Sequence, residues 1–125
     1  MKLFTVEEAN EVLPTIIPKL LDIREYYARL DVMRDSAREA ASASQFGGGM
    51  EGGVGYVNAL YNVGKLTTEL HQMGIELKDY ACGLIDFPSM RNDRVVLLCW
   101  QIGDGDEIGW WHETDAGFAG RQPLY

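Results

Sequence analysis

Cysteine and histidine are both scarce in this chain of 125 residues, with two of each. Cys82 and Cys99 stand outside any Cys-x-x-Cys or zinc-ligand spacing, which excludes a secreted disulfide framework and a zinc motif readable from local sequence. Cys99, inside Val95-Val96-Leu97-Leu98-Cys99-Trp100, reads as a small buried hydrophobe, and Cys82, beside Gly83, as a turn residue. No apolar run approaches the ~20 residues that span a bilayer. Met1-Lys2-Leu3-Phe4 begins like a signal peptide, but Glu7, Glu8 and Glu11 fall where its apolar region belongs, so a cytoplasmic protein without membrane attachment is expected. Positive charge is also short: 11 basic against 19 acidic side chains leave a formal charge of −8. That balance repels phosphate backbones and argues against nucleic acid as a partner.

What remains is the composition of a globular chain, long enough to bury a core without staples and short enough for one domain, residues 1–125. Thr5-Val6-Glu7-Glu8 is a capping box, so a helix starts at about Val6. Pro14 predicts its end near Val12 or Leu13, with Pro14 or Pro18 opening a second helix. From about Thr15 to Ala43, Ile16, Leu20, Ile23, Tyr27, Leu30 and Met33 or Ala37 fall on one helical stripe. Glu25 with Arg29, Asp31 with Arg34 and Asp35 with Arg38 are spaced to pair on the solvated face.

The segment Phe46 to Gly55 holds six glycines, yet it lacks the Gly-Lys-Ser/Thr ending and preceding strand of a phosphate-binding loop, and reads as a helix-to-helix connection. A further helix is expected over about Tyr56 to Met73, stopped by Gly74. A longer helix paired with a shorter one leaves an overhang, which a second copy of the chain would cover most simply. His71 has no ligand three or four residues away and reads as a surface histidine.

Beyond Gly74 the apolar period becomes two. Ile75 to Asp79 and Gly83 to Phe87 read as strands, the latter ended by Pro88. Arg94 to Gln101 is a central strand, Gly103-Asp104-Gly105-Asp106 a hairpin turn, and Glu107 to His112 the returning strand. The expected fold class is α+β: a long antiparallel helical hairpin (about 5–74), then a three- to four-stranded antiparallel meander (about 75–113), then a tail (114–125).

The unusual chemistry gathers between Trp110 and Leu124. His112 and Glu113 are candidate catalytic residues as an acid/base pair. Asp86, Trp111, His112 and Arg121 are candidate ligand-binding residues, with Arg121 suited to a small anionic ligand. His112, Glu113 and Asp115, with Asp86, are competent ligands for a divalent metal cofactor, although a strand sends His112 and Glu113 to opposite faces. The competing reading is structural: Glu113 or Asp115 pairs with Arg121, Phe118 anchors the tail, and Asp86 caps amides of the loop after Pro88.

Phe4-Thr5-Val6-Glu7-Glu8-Ala9-Asn10 with Leu13-Pro14, Glu76-Leu77-Lys78-Asp79, Gly83 to Pro88, Leu98-Cys99-Trp100, Trp111-His112-Glu113 and Gly117 to Leu124 together resemble the uncharacterised prokaryotic family catalogued as domain of unknown function 2203. The resemblance covers nearly the whole chain, treats 46–55 as a local elaboration, and implies one domain without implying a reaction. The expectation is a small binding or interaction module, a homo-oligomer through its long helices, with its surface around Trp111 to Arg121. The alternative is a metal-assisted hydrolase or other small enzyme using His112, Glu113 and Asp86.

Overall fold

The computed structural model describes residues 2–43 and 53–125, with side chains given outside 36–43 and Gly53. Two helices, α1 (Val6–Ala43) and α2 (Gly53–Gln72), precede five strands: β1 (Glu76–Asp79), β2 (Leu84–Arg91), β3 (Arg94–Trp100), β4 (Trp110–Glu113) and β5 (Gln122–Pro123). The strands form one antiparallel sheet in chain order. The α+β class is therefore as expected, with a fifth strand supplied by the tail.

The N-terminal cap is the expected box. The Glu8 amide donates to the Thr5 hydroxyl and the Thr5 amide to the Glu8 carboxylate, each at 3.0 Å. That carboxylate lies below its ordinary pKa because the Thr5 amide holds its charge.

The expected break at Pro14 does not occur: α1 runs through both prolines as one helix. Pro14 and Pro18 are four residues apart and both exposed, so their rings lie on the solvated side of the helix. On the other side Ala9, Leu13, Ile16, Leu20 and Ile23 are fully buried in an unbroken stripe. Burial of each large side chain contributes about 1.5–3 kcal/mol, enough for the stripe to outweigh the two missing hydrogen bonds.

The two helices lie antiparallel, with Lys19 bonded to Glu69 at 2.7 Å near one end and Met33 against Gly55 near the other. Glu25–Arg29 and Asp31–Arg34 pair as spaced, while Arg38 lies outside the residues with described side chains. Of the glycine-rich stretch, 46–52 lies outside the described residues and 53–55 opens α2, three residues earlier than expected. Gly74, at φ +88°, ends that helix as predicted.

At the sheet end, part of the overhang is covered within the chain. The first turns of α1 outrun α2 at the end facing the sheet, where Phe4, Ala9, Leu13 and Ile16 join Ile85, Phe87, Val96, Leu98, Trp100, Ile108 and Trp111 in one core. Phe4 meets Phe87 edge-on at 5.2 Å, and the Ile108 amide donates to Asn10 Oδ1 at 2.7 Å. The chain's own sheet thus seats that end of α1.

Strand β2 passes through Pro88, which was expected to end it. The Pro88 carbonyl accepts from the Phe4 amide at 2.7 Å on the side away from β3, so the residue's missing N–H costs no bond to β3. Asn92 and Asp93, at φ +51° and +64°, turn β2 into β3 with a two-residue loop. The Gly103–Asp106 signal does join antiparallel strands, but by a longer loop, since β4 begins only at Trp110. There the Asp104 carboxylate accepts from the Gln101 amide at 3.0 Å, and Trp100 Nε1 donates to the Gly105 carbonyl at 3.0 Å.

Candidate functional site

Strand alternation gives the sheet two unlike faces. Ile85 and Phe87 of β2, Val96, Leu98 and Trp100 of β3, and Trp111 of β4 point toward α1. The opposite face carries Asp86 opposite Cys99, Cys99 opposite Trp110, and His112 opposite Leu97. Asp86, Cys99 and His112 come from three neighbouring strands and are 2%, 0% and 4% exposed. One ligand atom of each lies within 4.8 Å of those of the other two.

The hydrogen bonds of His112 determine where its protons sit. Nδ1 lies 2.8 Å from the Glu113 backbone carbonyl, which can only accept, so Nδ1 carries a proton. Nε2 lies 3.0 Å from Asp86 Oδ1. That contact holds a second proton, either on Nε2 facing a carboxylate or on Asp86 facing a neutral imidazole. Burial raises the Asp86 pKa, and the His112 hydrogen bond opposes the rise. Burial also lifts the Cys99 thiol to about 11, with Asp86 adding to the effect and Arg121 countering it, so Cys99 is protonated at neutral pH.

The tail packs on this side of the sheet at Trp110. After β4 the chain passes through a single 3-10 turn, Phe118–Gly120, to Arg121 and β5, where Trp110 pairs with Pro123 and Trp111 with Gln122. The Arg121 guanidinium lies 4.3 Å from both the Trp110 and Phe118 ring centres. It donates to Asp104 Oδ2 at 2.8 Å in a largely buried ion pair. The Leu124 amide donates to the Gly109 carbonyl at 2.9 Å, closing the strap.

The structure brings His112 and Asp86 together, and separates them from the other candidates. Glu113 lies on the opposite face and forms a two-toothed pair with Arg94, which lowers its pKa and raises that of Arg94. Trp111 is on that side too, with the Arg91 and Arg94 guanidinium carbons 4.9 Å and 5.9 Å from its ring centre. Asp115 is exposed. Arg121 lies over the His112 face, but its carboxylate partner is Asp104 in place of Glu113 or Asp115. Asp86 sits inside β2 and bonds His112, where capping of loop amides was expected.

Cys99 is the residue that the sequence reading passed over. A signal was present: a two-residue turn at Asn92–Asp93 places residues equally far on either side opposite one another, and Asp86 and Cys99 are such a pair. Asn-Asp supplies the two positive φ angles less obviously than Asn-Gly, and reading Pro88 as a terminator hid the hairpin.

Residues 2–124 match the family described as Uncharacterized conserved protein (DUF2203), and the chain belongs to that family. Comparison with curated proteins and with solved structures returns no match.

Proposed function

We propose that this protein is an interaction module that self-associates through its helical arm. The observation that carries this reading is the outer face of α2, where Val54, Val57 and Tyr61 are 87%, 63% and 67% exposed and recur at helical spacing. Leu60 on α2 and Val32 on α1 are exposed as well. Val54, Val57, Asn58 and Tyr61 line a groove of about 570 Å³. An apolar stripe of this kind suits a second helix laid along it.

Charge supports a second copy as the occupant. Residues 53–64 contain no charged side chain, although the chain as a whole carries −8. Two like-charged copies meet at lowest electrostatic cost through their least charged face, and a two-fold axis sets the same stripe against itself. The tail is a weaker candidate for the interaction surface, because Arg121 and Glu113 are already engaged with Asp104 and Arg94. An enzyme built on His112 would need substrate to reach it, and burial of both His112 and Asp86 weighs against that.

Sedimentation equilibrium tests the reading, comparing the parent with a Val57→Glu/Tyr61→Glu double variant. The expected result is a concentration-dependent dimer for the parent and a monomer with an unchanged circular dichroism spectrum for the variant. A parent that stays monomeric up to on the order of 100 µM overturns it.

A further inference from the structure

We propose that Asp86, Cys99 and His112 form a binding site for a divalent transition ion of the zinc class. The site is separate from the helical arm and stands whether or not the protein self-associates.

The donor set comes first. One carboxylate, one thiol and one imidazole reach a common point from β2, β3 and β4, and their ligand atoms all lie within 4.8 Å of one another. Among the described residues, Asp86, Ser89 and His112 are the buried polar or charged ones, and two of these three flank a fully buried cysteine. Oxygen, nitrogen and sulfur donors together suit zinc or cobalt, whereas magnesium and calcium take oxygen alone.

The orientation of the imidazole is an independent observation. Nδ1 is committed to the Glu113 carbonyl, which turns Nε2 toward Asp86 and Cys99. Metal-binding histidines are held in this way, with one ring nitrogen donating to a carbonyl or carboxylate and the other free to ligate. Here a bond from the chain's own backbone, one residue along, provides that hold.

The distances require small movements. A tetrahedral ion with bonds of about 2.0–2.3 Å sets its donors roughly 3.3–3.7 Å apart. Asp86 Oδ1 and His112 Nε2, now 3.0 Å apart, must open by a few tenths of an ångström, and the widest separation of the group must close by about one. Side-chain torsions can supply both. Three protein donors leave the fourth position for a water molecule.

Protons and charge balance in the same step. Binding removes the Cys99 thiol proton and the proton held between Nε2 and Oδ1, while the Nδ1 proton stays on its carbonyl. Two protons therefore leave for each divalent ion, and the ion with one thiolate, one carboxylate and a neutral imidazole sums to zero. Such neutrality favours a buried site over an exposed one. The neighbouring Arg121 keeps its own counter-charge in Asp104.

The scarcity of cysteine and histidine makes the test direct. A Cys82→Ser/His71→Ala variant retains Cys99 and His112 as its sole thiol and imidazole and changes only exposed positions. Chelator-stripped protein of this variant is titrated with cobalt(II) chloride. The expected result is a thiolate-to-cobalt charge-transfer band in the near ultraviolet, saturating at one equivalent and abolished by zinc chloride. Zinc should also raise the melting temperature of the same protein. Asp86→Asn in this background should weaken cobalt binding more than about 100-fold. Absence of the band at millimolar cobalt, or a parent band lost on Cys82→Ser, overturns the proposal. Because the Cys82→Ser/His71→Ala background leaves the core untouched, the band decides the proposal even if Asp86→Asn fails to fold.

Discussion

The two faces of the sheet bury side chains with comparable completeness and by opposite means. Toward α1 lie Ile85, Phe87, Val96, Leu98 and Trp100, whose mutual attraction has no required direction. Away from α1 lie Asp86 and His112, bonded to one another, with Cys99 on the strand between them and the Arg121–Asp104 pair on the same side of the sheet. The apolar face can absorb small shifts of α1 by repacking. The polar face cannot, because a one-residue slip of β2 against β3 would carry Asp86 to the other side of the sheet and leave His112 buried alone. A helix thus suffices to pack one face, while the other needs strands in fixed register.

The largest break in this comparison comes from the apolar side. Phe87→Ala removes a fully buried ring in contact with Phe4 and should cost about 3–5 kcal/mol, read from urea unfolding midpoints. On the polar side the result depends on how many partners are removed. Asp86→Leu alone, in metal-free protein, should cost about 3 kcal/mol by stranding His112, whereas Asp86→Leu with His112→Leu should recover most of that loss. A double variant no more stable than the single would show that the two side chains act separately, and would remove the contrast.

Arg121→Met is smaller still. It keeps the apolar stem over Trp110 but leaves Asp104 without its guanidinium, for an expected loss of about 1–2 kcal/mol and earlier proteolysis of the tail. The smallest effect lies in the helices, where Lys19 holds the Glu69 carboxylate below its ordinary pKa. A depressed folded-state value stabilises above the unfolded pKa and is lost as pH falls through the folded one. Glu69→Gln should therefore lower the urea midpoint slightly at neutral pH, and the difference from the parent should vanish in acid.

Elements bounded by local chemistry were legible in the sequence: the Thr5–Glu8 box, the stop at Gly74, the pairing of Glu25 with Arg29. The two proline errors share one cause. Pro14 predicts a helix end, with Pro14 or Pro18 opening the next helix, and Pro88 predicts a strand end. Packing instead carries α1 through its two lost bonds and turns the missing N–H of Pro88 away from β3. Both outcomes are set by tertiary packing, which a local rule does not see. The candidate site divided in the same way. Period-two alternation separated His112 from Glu113 correctly, and the sheet register decided what His112 would meet. Cys99 was hidden because its apolar neighbours defined its strand, while its partners lie on strands contributed from elsewhere in the chain. Arg121 found Asp104 over the nearer Glu113 because Glu113 faces the other side.

The contact between Phe4 and Pro88 has a consequence for how this sheet behaves among its own kind. Beyond the reach of β1, the next outward position of β2 is Pro88, which has no hydrogen to offer, and its carbonyl is already occupied by the Phe4 amide. An incoming strand from another molecule would meet neither donor nor acceptor there. At the far side, β5 is only two residues long and one of them is Pro123. Both stretches are thus poor templates for edge-to-edge pairing with another molecule.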